Sequence, residues 1–343
     1  MAYPTYQPRT KKTLSWSNTR ITLLQRCERK YYFNYYTFAL KDQYPELWKE
    51  TLILKKLKSL EMRIGEKSHY LLSDYLHLLK KWTLNAESIT DEERETKIQE
   101  LKNQIKSEME EEFAKSQSTD FHGLEGYFDG FGLSEHFYGE NVEDQLPIAI
   151  QKVQDNLDRF IASPRNGKIE NYFSSGHLVY VEHPRNSNFE AMKVDVSKIE
   201  GLKDITVMAA PDFGVTISNT DYIILDWKSG KEDITADEIS NQLKVYALKM
   251  LIKKGSTNME GIRIEAHEVY LQSMNSHGGI LKQQDIDDII TRIQTDVAAQ
   301  KSFLIDEDPY KNEPVDYVIF RKTTNAKKCE TCTFKDVCQK LEG

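Results

Sequence analysis

The sequence has 343 residues and only four cysteines, three of them in one stretch, CETCTFKDVCQ at 329–339. It has no run of about 18 apolar residues, which excludes a membrane-spanning helix. Its opening residues, MAYPTYQPRTKKTLSW, lack the apolar stretch of a secretory signal. The expectation is a cytoplasmic protein with no membrane contact, in a compartment where disulfides rarely persist. Clustered thiols there are more often metal ligands or catalysts than cross-links. There is no internal repeat and no low-complexity tract. A G-x-x-x-x-G-K-[ST] phosphate loop is also missing, so action on duplex DNA far from ends would need a helicase or other DNA-processing subunit as partner.

The formal net charge is −8, and 39% of residues are apolar, enough for a substantial core. An acidic total argues against a nucleic-acid partner until its distribution is considered. Lys11 to Tyr36 carries six basic residues and one acidic residue, whereas Asn85 to Asp120 carries eleven acidic and five basic ones. One segment holds much of the negative charge, and another is left basic.

The first half reads as helical. Residues 1–14 read as an irregular tail, and 17–36 as one helix capped by Ser17. Helical periodicity runs over 47–81, 91–116 and 143–163, with a glycine- and aromatic-rich loop at 121–133. The character then changes. Residues 176–184 are strand-like, 204–218 and 221–230 read as two strands joined by a tight Asn-Thr turn, and 262–272 as another strand. Helices are expected at 236–255 and 283–304. This order predicts an α/β or α+β fold.

The most informative stretch is APDFGVTISNTDYIILDWKSG. Asp226 and Lys228 are two apart, so on a strand they share a face. A hairpin brings Asp212 toward them. Two carboxylates suit Mg²⁺ or Mn²⁺, and a nearby lysine can polarise water and offset phosphate charge. From spacing alone, an ordinary pair of polar strand partners is the competing reading.

PDFG…IILDWKSGK resembles the core motif of the PD-(D/E)XK nucleases, in the branch similar to RecB and Cas4, with Ala209 where that branch has glycine. NQLKVYALKM resembles its Q-x-x-x-Y helix, through Gln242 and Tyr246. RIGEKSHYLLSDYL resembles its G-x-x-x-H element, through His69. The resemblance implies a restriction-endonuclease-like mixed sheet flanked by helices. It implies catalytic roles for His69, Asp212, Asp226, Lys228, Gln242 and Tyr246, with His69, Asp212 and Asp226 as metal ligands. Glu182 is a further acidic candidate. On this reading residues 15–343 are one nuclease domain. It has a large helical insertion at about 84–165, a core at about 176–305 and a cysteine segment at 325–343.

Cys329, Cys332 and Cys338 need a fourth ligand to complete a zinc site or a [4Fe–4S] cluster, and Cys27 is the one cysteine left. Spacing does not separate the two metals. LQRCERKYYFNYY resembles the segment that supplies the first cysteine in the iron–sulfur members of this branch, with Glu28 in place of proline, and this resemblance favours iron–sulfur. The implied function is a metal-dependent deoxyribonuclease acting on single strands or free ends, with Arg20, Arg26, Arg29 and Lys30 also meeting DNA. A non-catalytic DNA-binding scaffold on the same fold is the alternative. Without a second histidine-rich motif, a small-molecule metallohydrolase is less favoured.

Overall fold

The computed structural model describes residues 13–84, 89–124, 128, 130–186, 191–232, 239–305 and 311–342. The first half runs β1 (Ser15–Trp16), α1 (Asn18–Arg26), α2 (Glu28–Tyr35), α3 (Pro45–Leu54), α4 (Leu60–Leu84), α5 (Asp91–Gln117), α6 (Ser134–Phe137), α7 (Gln145–Ala162) and α8 (Pro164–Ser174). Strands β2 (Leu178–Val181), β3 (Ala191–Asp195), β4 (Asp204–Met208), β5 (Phe213–Ser218) and β6 (Asp221–Lys228) follow. The chain continues with α9 (Asn241–Lys253), β7 (Arg263–Tyr270), β8 (Ser276–Ile280), α10 (Gln283–Lys301), α11 (Ala326–Glu330) and α12 (Lys335–Lys340). The mixed α/β architecture matches the expected fold class.

The main sheet has the order β2-β5-β6-β7-β8. Its pairs are antiparallel except β6 with β7, which run parallel across the α9 crossover. A smaller sheet has the order β1-β4-β3. Alternation along β6 decides which side chains face which layer. Tyr222 and Ile224 join the core beside α9 and α10, whereas Leu225 and Trp227 join the one built on α4, α7 and α8. Asp226 and Lys228 continue the first series, so apolar packing on both sides fixes their direction.

Several expected elements are divided differently. The helix expected over 17–36 breaks at Cys27, whose extended backbone (φ −166°, ψ 108°) ends α1 and starts α2. Ser17 does cap α1, its hydroxyl accepting from the Arg20 N–H. The strand expected over 204–218 breaks between Met208 and Phe213, where Pro211 has no N–H to continue a ladder. Its halves, β4 and β5, belong to different sheets. The Asn-Thr hairpin forms as expected, with Ser218 opposite Asp221. Of the expected tail, residues 1–12 lie outside the described set, and Leu14 is buried in the core. The start of the 236–255 helix falls partly on residues outside that set, and α9 begins at Asn241. Strands β1, β3 and β8 were not foreseen.

Phe160 of α7 is fully buried, with its ring 5.5 Å from Trp227 and 6.1 Å from Tyr75. It therefore supports β6 from behind, between Asp226 and Lys228. Phe160→Ala is expected to destabilise the fold by about 3–5 kcal/mol, the usual cost of emptying a packed aromatic site. Urea unfolding followed by circular dichroism checks this, and a loss under about 1 kcal/mol would show that the site collapses without cost.

Candidate active site

Asp212 follows Pro211 at the start of β5, and Asp226 lies near the end of β6. Both are buried, at 8% and 3% exposure. Asp212 is held at each oxygen. The Trp227 N–H donates to Oδ2 at 2.6 Å, and His69 Nδ1 of α4 lies 3.1 Å from Oδ1. Asp226 Oδ1 accepts from Gln242 Nε2 at 3.1 Å and from the Tyr246 hydroxyl at 3.0 Å. Its Oδ2 lies 2.6 Å from Lys228 Nζ in an ion pair.

The helix pair Gln242 and Tyr246 is one turn apart and locked together, with 2.6 Å between Gln242 Nε2 and the Tyr246 hydroxyl. Lys228 Nζ donates to Gln242 Oε1 at 2.8 Å. All six residues expected from the sequence therefore meet at one end of β6. Glu182 joins them, its N–H donating to the Asp212 carbonyl at 2.9 Å.

Sequence reasoning missed Glu268. It stands directly opposite Asp226 on β7, with Oε1 3.6 Å from Lys228 Nζ and 2.7 Å from the Ser240 hydroxyl. The signal available was an acid inside a strand pattern, and only the parallel register reveals which residue it faces.

Crowded, buried negative charge dominates the electrostatics. Burial, then the Asp212 charge, pushes Glu182 up to about 8. The same two causes push Asp226 up to about 6. Asp212 goes the other way: burial opposes its charge, but His69 and the Trp227 N–H hold its carboxyl below the usual range. His69 keeps 28% of its side-chain surface but lies deep in the cleft. Burial there works against its charge, and Asp212 outweighs it, raising His69 to about 9. For Lys228, burial likewise lowers the pKa, and Asp226 more than reverses it.

Among the described residues, no three His, Cys, Asp or Glu side chains stand close enough together to hold an ion as they are. The donor set nevertheless fits one. Asp226 Oδ2 is buried, with the Lys228 ammonium 2.6 Å away as its counter-charge. Burial and the neighbouring Asp212 charge both favour the protonated form of Glu182, and a divalent cation placed there would relieve the charge part of that cost.

The four cysteines all line one cavity of about 900 Å³ between the α1–α2 break and the α11–α12 segment. All four are free thiols. Burial pushes Cys338 up to about 11 and Cys332 upward as well. Metal binding would have to deprotonate these thiols against that burial.

The basic residues divide. Arg26, Arg29 and Lys30 line the cysteine cavity. Arg26 is exposed and Lys30 half-buried. Arg20 and Arg29 do not present a surface for DNA. Arg20 is buried, donating to the Tyr31 hydroxyl and lying 4.3 Å from the Tyr35 ring centre. Arg29 is buried, donating to the Phe320 carbonyl. The aromatic residues of α2 pack inward and take these cations with them.

A mixed sheet carrying buried acids and a lysine at one strand end, with helices on both sides, is the restriction-endonuclease-like architecture of phosphodiester-cleaving enzymes. The sequence profile of the PD-(D/E)XK nuclease superfamily matches residues 15–339, and the chain belongs to that superfamily. Nucleases of this superfamily use divalent metal ions. No curated protein gives a significant match.

The raised acids set the direction of a pH test. Glu182 starts from 4.5 and reaches about 8 in the fold. As pH rises between those values the unfolded chain releases this proton and the fold retains it, so metal-free stability falls. A divalent cation competes with that proton. The thermal stabilisation produced by Mn²⁺ is therefore expected to grow from pH 6 to pH 8, as read by differential scanning fluorimetry. A shift that is constant with pH would contradict the acid cluster as the metal site.

Proposed function

We propose that the protein is a Mg²⁺- or Mn²⁺-dependent deoxyribonuclease acting on single strands or free DNA ends. The observation that carries this is the convergence of Asp212, Asp226, Lys228, Gln242, Tyr246 and His69, from β5, β6, α9 and α4, on one buried point. His69, Asp212 and Asp226 would hold the metal, with Glu182 as a further acidic candidate. When bound, the metal supplies an activated water and charge stabilisation for the leaving oxygen. Lys228 offers a cation beside Asp226, where it can orient that water and offset phosphate charge. Gln242 fixes the Lys228 ammonium, and Tyr246 fixes Asp226 Oδ1. His69 keeps Asp212 ionised and aimed.

Cys27, Cys329, Cys332 and Cys338 are proposed to hold a [4Fe–4S] cluster, with zinc as the alternative. Its role would be to clasp the two chain ends. Closing a loop of about 300 residues restricts the unfolded chain strongly. A helicase or other DNA-processing subunit would serve it as partner on duplex DNA.

A labelled single-stranded oligonucleotide with Mn²⁺ tests the chemistry. Lys228→Ala is expected to lower the cleavage rate by at least about 100-fold while leaving oligonucleotide affinity within a few-fold. Cleavage at the wild-type rate would remove Lys228 from the site. Tight binding by the wild type with no cleavage under any metal would favour the scaffold reading. For the clasp, Cys27→Ala is expected to lose bound metal and lower the melting temperature before it affects chemistry. Elemental analysis and absorbance near 400 nm, roughly where such clusters absorb, distinguish iron from zinc. Unchanged metal content in that variant would exclude Cys27 as a ligand.

A further inference from the structure

Lys228 Nζ meets groups from three elements. Asp226 Oδ2 of β6 lies at 2.6 Å, Gln242 Oε1 of α9 at 2.8 Å and Glu268 Oε1 of β7 at 3.6 Å. The parallel register sets Glu268 opposite Asp226 and Tyr270 opposite Lys228, so these four side chains share one face of the sheet. The Glu268 carboxyl is itself held at both oxygens. The Ser240 hydroxyl donates to Oε1 at 2.7 Å, and the Tyr270 hydroxyl donates to Oε2 at 3.4 Å. Only 13% of the Glu268 side chain remains exposed.

Ser240 also caps α9, its hydroxyl oxygen accepting from the Leu243 N–H at 3.4 Å. Gln242, which accepts from Lys228, and Tyr246, which donates to Asp226, follow on that helix. One oxygen of Glu268 therefore lies beside the lysine and is bonded to the cap of the helix that carries the lysine's amide partner. Burial works against the Lys228 ammonium, and Asp226 and then Glu268 favour it. Asp226 is also proposed as a metal ligand, and a carboxylate shared between two cations holds each less firmly. Glu268 lies outside that proposed ligand set, so its hold on the lysine is not divided in this way. A substrate contact does not suit Glu268, because its charge repels phosphate.

We propose that Glu268 is a positioning residue for Lys228, keeping its ammonium at the point of cleavage. The inference rests on the nuclease reading above and adds to it a residue that acts through the lysine without touching substrate.

The test uses full-length wild type, Glu268→Gln, Lys228→Met and the variant carrying both changes, with a single-stranded oligonucleotide and Mn²⁺. Glu268→Gln keeps the side chain's shape and an oxygen for Ser240 but removes the charge. It is expected to lower kcat about tenfold, on the scale of one charge-assisted contact, with KM within about twofold of wild type. A bystander acid would act in the opposite direction, since removing its charge would ease phosphate binding and leave kcat unchanged. Urea midpoints of the metal-free proteins give a second readout that does not depend on cleavage. Positioning predicts that the losses from Glu268→Gln and Lys228→Met are not additive in the double variant. Where the wild type cleaves, the kinetics decide. A wild-type kcat in Glu268→Gln would overturn the inference while the nuclease reading stands. Recovery of kcat at higher Mn²⁺ would overturn it too, by making Glu268 a metal ligand. If the wild type does not cleave, the nuclease reading fails and the midpoints decide: non-additive losses keep the hold of Glu268 on Lys228, and additive losses overturn it.

Discussion

Buried like charge is the constraint on which the rest of this structure depends. The Asp212 charge raises the cost of ionising Asp226, and both carboxyls are shielded from water. An unpaired buried carboxylate costs far more than an exposed one, so every oxygen must be compensated. The compensating groups come from separate elements: His69 from α4, the Trp227 N–H and Lys228 from β6, Gln242 and Tyr246 from α9. The helical first half, the hairpin and the crossover helix are thus held in one arrangement by the needs of two side chains.

The part legible in the sequence is the part governed by local periodicity. Alternation along YIILDWK put Asp226 and Lys228 on one face, and a four-residue interval put Gln242 and Tyr246 on one face of a helix. What local pattern cannot supply is pairing between distant segments. β1 exists only because Ser15 and Trp16 pair with Thr206 and Val207. Glu268 becomes relevant only through the parallel register of β6 and β7. The same limit explains Arg20 and Arg29. A basic, aromatic run suggests a nucleic-acid surface, but these arginines serve as internal partners for Tyr31, Tyr35 and the Phe320 carbonyl.

The segment around α2 and the segment from Phe320 to Phe334 are joined by ordinary packing. Phe33 of α2 lies 5.5 Å from Phe334, and Tyr32 lies 4.9 Å from Phe320. The Arg29 N–H donates to the Arg321 carbonyl, and Glu28 pairs with the Arg321 guanidinium. The thiols therefore face one another across a cavity whose walls are already assembled. The helix break at Cys27 has a local rationale in the same place: its sulfur caps α2 by accepting from the Lys30 N–H.

The account's central claim is that Asp212 and Asp226 share a divalent cation at the point of cleavage. The most direct measurement is anomalous diffraction from crystals of the Lys228→Ala protein grown with Mn²⁺ and a single-stranded oligonucleotide. The account predicts a Mn²⁺ peak ligated by both carboxylates, with a backbone phosphate of the bound strand on the same ion. A Mn²⁺ ion bound elsewhere, with the oligonucleotide away from the acid cluster, would contradict it.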